Sequence, residues 1–164
     1  MKKLRLFLLP LCMLFVLTSC KKSSTSPTSV TGTMTATING TAQTFNVGAI
    51  ANLQSEGGTY TLGMEGLSAT SGSANSMIIS ITSSTPIVAG TYTAASSQAN
   101  VSHTEANTNV YQYDGSSGSG PSVVIKSISS AIVSGTFAGT VQLINGSGAS
   151  SVAITNGTFN LKIQ

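Results

Sequence analysis

The chain has 164 residues, of which 7 are lysine or arginine, 4 are aspartate or glutamate and 1 is histidine. Three of the basic residues, Lys2, Lys3 and Arg5, stand at the beginning of the chain, and no arginine follows them. A nucleic-acid partner requires a cluster of Lys and Arg on one face of a folded domain. The sequence therefore predicts no nucleic-acid partner.

An apolar run at residues 6–17 follows the positive charges and is interrupted by Pro10. This run is too short to cross a bilayer of about 30 Å, which takes roughly 20 apolar residues in a helix. A positive start, a short apolar run and small residues before a cleavage site are typical of a secretory signal. We predict that residues 1–19 are a signal peptide and not a transmembrane helix.

Residues 17–20, Leu-Thr-Ser-Cys, resemble the lipobox of bacterial lipoproteins. The resemblance implies that a diacylglyceryl group is attached to the Cys20 thiol and that a signal peptidase cleaves after Ser19. Cys20 then becomes the acylated N-terminus. The alternative is an ordinary secretory signal in which Cys20 has no role. Because Cys12 lies in the signal, the exported chain has no thiol left for a disulfide or a thiolate metal site.

Residues 20–30 contain the acylated cysteine and a segment rich in Ser and Thr, with Lys21, Lys22 and Pro27. Such a composition has little to bury and predicts a flexible tether. In several Bacteroidota, an acidic run after the lipidated cysteine marks lipoproteins for the cell exterior. No acidic run follows Cys20. We expect a lipid-anchored protein of the outer membrane, on its periplasmic or surface face, with the periplasmic face favoured.

From residue 31 onward, the apolar residues recur with a period of two. Met, Ala and Ile alternate with Thr in residues 33–38, and residues 76–81 and 159–163 also place apolar side chains on one face. This alternation is typical of half-buried strands, and Thr, Val, Ile and Tyr suit a pleated surface. The sequence predicts one all-β domain over residues 31–164, an antiparallel β-sandwich or flattened barrel of about eight to nine strands.

Turn signals divide this domain. Asn39-Gly40, Asn145-Gly146 and Asn156-Gly157 predict tight turns, because Asn and Gly tolerate the positive φ of primed hairpin turns. Residues 56–58 and 114–120 predict longer loops. The strands are predicted near residues 31–38, 42–48, 58–64, 75–82, 90–95, 108–113, 122–128, 131–144 and 151–163.

A Gly-Thr-aromatic triplet occurs four times, at residues 58–60, 90–92, 135–137 and 157–159. We interpret it as a way of starting strands: the glycine permits a turn or bulge, the threonine faces outward and the aromatic begins the buried face. The spacings between the copies are unequal, which argues against a solenoid or propeller repeat.

Together with Asn39-Gly40 before Phe45, this order resembles small lipoproteins of unknown function that are common in Bacteroidota. Those proteins carry a Gly-Thr-Tyr in mid-chain and finish with Ser-Gly-Thr-Phe and Thr-Asn-Gly-Thr-Phe, here residues 134–137 and 155–159. The resemblance implies a β-sandwich on a lipid anchor and brings no catalytic residues. The position after Asn-Gly, often Lys in those proteins, is Thr41 here.

Residues that could carry catalysis are scarce. A Ser-His-Asp triad would have to use His103 and Asp114, but no Gly-x-Ser-x-Gly motif precedes a predicted helix. A zinc site needs three or four ligands, and His103 with Glu105 supplies two. We predict no catalytic residue, no metal site and no cofactor, and therefore a protein that is not an enzyme.

The densest set of candidate ligand contacts is His103, Glu105, Tyr111, Tyr113 and Asp114. A hairpin there could present two aromatic rings to a sugar or a peptide. Alternatively, the tyrosines cap the core while His103 and Glu105 lie in a mobile loop. An exposed cleft that holds Tyr111, Tyr113 and Asp114 would favour a glycan- or peptide-binding module of an envelope uptake assembly. Buried tyrosine rings would favour a structural or accessory lipoprotein whose partners are the membrane and other envelope components.

Overall fold

The computed structural model describes residues 32–69, 73–106, 108–115 and 120–164. The predicted signal peptide, Cys20 and the whole predicted tether lie outside the described residues. The regular structure of the described part is strand throughout, which confirms the prediction of an all-β domain. No helix with the length and apolar composition needed to cross a membrane is found among these residues.

The described residues form eleven strands, two more than the nine predicted. One additional strand is Val47–Glu56, most of which lies beyond the strand predicted at residues 42–48. The other is Ala99–Glu105, where no strand was predicted. The bounds are β1 Thr33–Ile38, β2 Thr41–Thr44, β3 Val47–Glu56, β4 Thr59–Leu67, β5 Ser76–Ser83, β6 Gly90–Thr93, β7 Ala99–Glu105, β8 Asn109–Gln112, β9 Ser122–Ile128, β10 Ile132–Asn145 and β11 Ser151–Lys162.

These strands form one curled antiparallel sheet with the order β2-β1-β11-β10-β8-β7-β5-β4-β3. The long strand β10 has two neighbours on one side. Its first half pairs with β9, from Val133 to Ala138, and its second half pairs with β8, from Gln142 to Asn145. Strand β6 pairs with β9 and completes this branch.

The two ends of the sheet approach each other. Strand β3 is the last strand of the order, yet Ala51 forms an isolated bridge with Ile163, directly after β11. The Gln164 N–H donates to the Ala51 carbonyl at 3.0 Å, and the Gly32 N–H donates to the Ala49 carbonyl at 3.0 Å. These contacts join β3 to the segments that flank β1 and β11, so the sheet curls into a half-barrel around its core.

The core lies on one face of this curled sheet. The alternation predicted for residues 33–38 and 76–81 is confirmed, because Met34, Met77 and Ile79 have no exposed surface. Burying a side chain of this size contributes about 1.5–3 kcal/mol relative to leaving it in water. The sheet is therefore held together by a continuous apolar face contributed by strands from both halves of the chain.

The predicted turns have mixed outcomes. Asn39-Gly40 is the tight β1–β2 turn, with φ of 47° and 82°. The predicted longer loop at residues 56–58 is wrong: Gly57 and Gly58 form a two-residue turn, since Glu56 pairs with Thr59. The predicted tight turn at Asn145-Gly146 is also wrong, because the connection from β10 to β11 spans residues 146–150.

Asn156-Gly157 is not a turn, because both residues lie inside β11. Asn156 has a φ of 51°, and the register of β11 against β10 shifts close to this position, between Phe137 and Gly139. The register against β1 shifts there as well. The positive φ that predicted a turn belongs to a β-bulge, which bends the strand.

Two of the four Gly-Thr-aromatic triplets do not start strands. The triplets at 58–60 and 90–92 stand at the beginnings of β4 and β6, as predicted, but those at 135–137 and 157–159 lie within β10 and β11. These two pair with each other in reverse order: Gly135 stands opposite Phe159, and Phe137 stands opposite Gly157. Each glycine thus leaves room for the phenylalanine of the other triplet.

Candidate functional site

The β7–β8 hairpin brings three of the five candidate contact residues together. His103 pairs directly with Tyr111 across the hairpin, and Glu105 pairs with Asn109 next to the turn. His103 and Glu105 therefore lie in a strand and not in the mobile loop of the alternative interpretation. The hairpin considered from the sequence is present, and it places the His103 and Tyr111 side chains on the side of the core.

His103 is fully buried. Its ring lies between Phe45, at 6.0 Å edge-on, and Tyr111, at 6.1 Å and nearly parallel. The Nδ1 atom is 2.9 Å from the Ser76 carbonyl, which can only accept, so Nδ1 carries the proton of the neutral ring. The Nε2 atom has no hydrogen-bond partner and lies 3.9 Å from the Glu105 carboxylate. Burial lowers the pKa of His103, and the Ser76 hydrogen bond and the Glu105 charge oppose this shift.

Tyr111 is 1% exposed, so its ring belongs to the core and not to a solvent-facing surface. Its hydroxyl donates to the Glu105 carboxylate at 3.3 Å, and the Asn109 side-chain amide donates to the same oxygen at 3.5 Å. Burial raises the pKa of Tyr111, and the charge of Glu105 adds to this effect. The buried rings of His103 and Tyr111 and the partly exposed carboxylate of Glu105 form one polar cluster, and a dissolved ligand has no access to the two rings in this conformation.

Tyr113 and Asp114 lie outside this buried cluster. Tyr113 follows β8, is partly buried and packs against the core. Asp114 is exposed, and its backbone N–H donates to the side-chain oxygen of Gln142 at 3.4 Å. The five candidates are thus divided between the buried cluster and the segment at the end of the hairpin.

Because His103 is buried, we predict that the free energy of unfolding of the domain decreases at acid pH. The pKa of His103 lies below its ordinary value of 6.5 in the folded protein, so the unfolded chain binds the extra proton first as the pH falls. The contribution of the neutral His103 to the free energy of unfolding is complete above about pH 6.5. It declines below this pH, by at most about 1.4 kcal/mol per pH unit for one proton. Urea unfolding at about pH 7.5 and about pH 5.5 measures this loss.

The matched variant is His103→Gln, which keeps a donor for the Ser76 carbonyl but has no titration in this range. It should lose less stability than the wild type over the same pH interval. Glu105 and Tyr111, which lie next to residue 103, are present in both proteins, so the titration of these two side chains contributes equally to both losses. Equal losses in the two proteins would show that His103 is not the titrating group.

The carboxylates do not assemble around the histidine. In the described part of the chain, no group of three or more His, Cys, Asp or Glu side chains is placed to hold a metal ion. Glu56 lies beside the β3–β4 turn and Glu65 lies on the outer face of β4.

A groove that the sequence did not indicate lies beside Tyr113. It has a volume of about 560 Å³ and is lined by Ser80 and Thr82 of β5, Asn100 of β7, the β6–β7 loop and Tyr113. The Oδ1 atom of Asn100 is buried and has no hydrogen-bond partner, which costs about 1–3 kcal/mol for a polar atom. No motif marks this site, because Ser, Thr and Asn are ordinary residues at the outward positions of strands.

Comparisons of the chain with protein-family models, with curated proteins and with solved structures find no match. The functional interpretation therefore depends on the N-terminal sequence and on the geometry described above.

Proposed function

We propose that this chain is a lipid-anchored lipoprotein of the bacterial outer membrane that acts without catalysis, as a structural or accessory component of the cell envelope. The N-terminal motif supports the anchor: positive charges, a short apolar run and Leu-Thr-Ser-Cys ending at Cys20 occur in the required order. The order of Asn39-Gly40, Gly-Thr-Tyr at residues 90–92, Ser-Gly-Thr-Phe at residues 134–137 and Thr-Asn-Gly-Thr-Phe at residues 155–159 supports its assignment to the small lipoproteins of Bacteroidota.

The observation that carries the non-catalytic role is the burial of the single histidine of the chain. A general base must reach the proton that it removes, within about 2.6–3.2 Å or through one water. His103 is fully buried between Phe45 and Tyr111, and its protonated nitrogen is bound to the Ser76 carbonyl. This arrangement supports a role in packing the core.

The proposal includes a sandwich or flattened barrel as the complete shape of the domain. The hydrogen bonds from Gln164 to Ala51 and from Gly32 to Ala49 support this shape, because they connect the last strand of the sheet to the opposite end. The same contacts bring Gly32 and Gln164 to neighbouring positions along β3.

Separation of inner and outer membranes on a density gradient tests the proposed location. The wild-type protein is expected in the outer-membrane fraction, and protease added to intact cells distinguishes the two faces. Protection of the β-domain until the outer membrane is permeabilised would support the periplasmic face. Recovery of the protein in the inner membrane or in the soluble fraction would overturn the proposed location.

A second candidate function is a ligand-binding module for glycan or peptide in an envelope uptake assembly. The observation that favours it is the polar groove beside Tyr113, which is lined by Ser80, Thr82 and Asn100. A binding role of this kind is compatible with the same lipid anchor.

A further inference from the structure

The groove arises where the two strands of the β7–β8 hairpin stop pairing. The last paired residues toward this end are Ser102 and Gln112, so the first residues of β7 extend beyond the end of β8. Tyr113 and Gly115 follow β8 along one side of the groove, and the β6–β7 loop borders the other. The volume of about 560 Å³ falls within the range of about 300–1,000 Å³ that is common for small-molecule sites.

The lining of the groove is polar but carries no charged side chain. Ser80 and Asn100 stand directly opposite each other on β5 and β7, and Thr82 lies two residues farther along β5. Asn100 is partly exposed and lines the groove, and its Oδ1 atom is shielded by the protein and accepts no hydrogen bond, so the Nδ2 group is the part of the amide that a ligand could reach. An amide can both donate and accept, and the neighbouring hydroxyls can do the same.

Tyr113 supplies an aromatic surface to this polar lining. Its ring is held in place on one side by Gly120, since a Cβ atom at that glycine would lie 2.7 Å from two carbons of the ring. An aromatic ring beside hydroxyl and amide groups offers both an apolar surface and hydrogen bonds. Sugar rings present the complementary combination, with apolar C–H groups on their faces and hydroxyls around their edges.

We propose that this groove binds a neutral sugar residue of a glycan, with Tyr113 against the face of the ring and the Ser80 and Thr82 hydroxyls and the Nδ2 group of Asn100 bonded to its hydroxyls. The absence of charged side chains from the lining favours a neutral sugar over an acidic one. This inference rests on the second candidate function and deepens it. The buried cluster of His103 and Tyr111 has no part in the site.

The proposal is tested by calorimetric titration of the full-length protein with glucose, galactose, mannose, N-acetylglucosamine, glucuronate and a linear oligosaccharide of each. The protein is kept in a polyoxyethylene detergent, because detergents with sugar headgroups would compete. At least one neutral sugar is expected to bind. Tyr113→Ala and Asn100→Ala should each weaken this binding by about tenfold or more, and Tyr113→Phe should retain it.

Two controls separate binding from folding. Tyr60 is also a partly buried tyrosine that packs against the core, but it does not line the groove, so Tyr60→Ala should change the affinity by less than about twofold. Asn100→Ala should not lower the melting temperature, since Oδ1 makes no hydrogen bond in the free protein. A structural role for Asn100 would lower it.

The proposal is overturned if no neutral sugar binds, if only glucuronate binds, or if the Tyr113→Ala and Asn100→Ala variants bind as the wild type does. Binding of extended peptides in place of sugars would also contradict it. None of these results bears on the lipid anchor, because the titration is performed in detergent and the membrane location is measured separately.

Discussion

Replacing Cys20 with alanine is expected to move the protein from the membrane fraction into the soluble fraction. Without the thiol, no diacylglyceryl group can be attached, whereas two or more acyl chains give stable anchoring. The apolar run at residues 6–17 does not replace them, because twelve residues in a helix measure only about 18 Å against a hydrocarbon core of about 30 Å. Fractionation of cells followed by immunodetection measures the change.

Cys12→Ala is the matched control, because it removes the other cysteine of the chain and leaves the proposed lipid site intact. This variant should remain in the membrane fraction. If the Cys20→Ala protein stays there at the wild-type level, the anchor is not at Cys20.

Gly157→Ala is expected to lower the stability of the domain by about 3 kcal/mol, at the upper end of the usual cost of overpacking. A Cβ atom at this position would overlap the backbone carbonyl oxygen and the ring of Phe137 on the neighbouring strand. The carbonyl oxygen cannot rotate away, so the strands β10 and β11 have to separate. For a domain of this size, the melting temperature should fall by roughly 10 °C.

Gly63→Ala is the control for this variant. Gly63 also lies within a strand, but nothing stands within 4 Å of an added Cβ atom there. The change should be neutral or slightly stabilising, by about 0.4–1 kcal/mol, because alanine restricts the unfolded chain. Equal melting temperatures for the two variants would show that the paired Gly-Thr-Phe triplets are not tightly packed.

The strands that the sequence predicted best are those whose buried positions are all apolar, such as β1. Strand β7 was missed because its buried positions are Ala99, Val101 and His103, and a histidine interrupts the apolar alternation. Strand β3 was missed beyond its start because residues 52–56 are exposed and, apart from Leu53, polar. In both strands, hydrogen bonding to the neighbouring strands supplies what the local pattern lacks: β3 pairs with β4, and β7 pairs with β5 and β8.

Asn39-Gly40 and Asn156-Gly157 show why turns could be predicted only in part. Both asparagines adopt positive φ, and this backbone conformation is what an Asn-Gly pair in a sequence indicates. Whether this backbone makes a hairpin turn or a bulge depends on which strands lie alongside. Asn156 lies within a strand that pairs with β1 and β10 at the same time, so the chain continues in its direction.

The sequence indicated that the candidate residues of the β7–β8 hairpin lie close together, but it did not indicate that His103 and Tyr111 are buried. The short separation of His103 and Tyr111 indicates a hairpin, but their burial depends on Phe45, which comes from a distant part of the chain. The groove at Asn100 is formed by residues from several separate segments. No local pattern could have indicated that these segments meet.

The most direct test of the claim that Cys20 carries a lipid anchor is mass spectrometry of the mature protein purified from the membrane. The intact mass and the sequence of the N-terminal peptide are both measured. We expect a chain that begins at Cys20 and carries a diacylglyceryl group on the thiol and an acyl chain on the amino group. A chain that begins at another residue, or a Cys20 with a free thiol, would contradict the account.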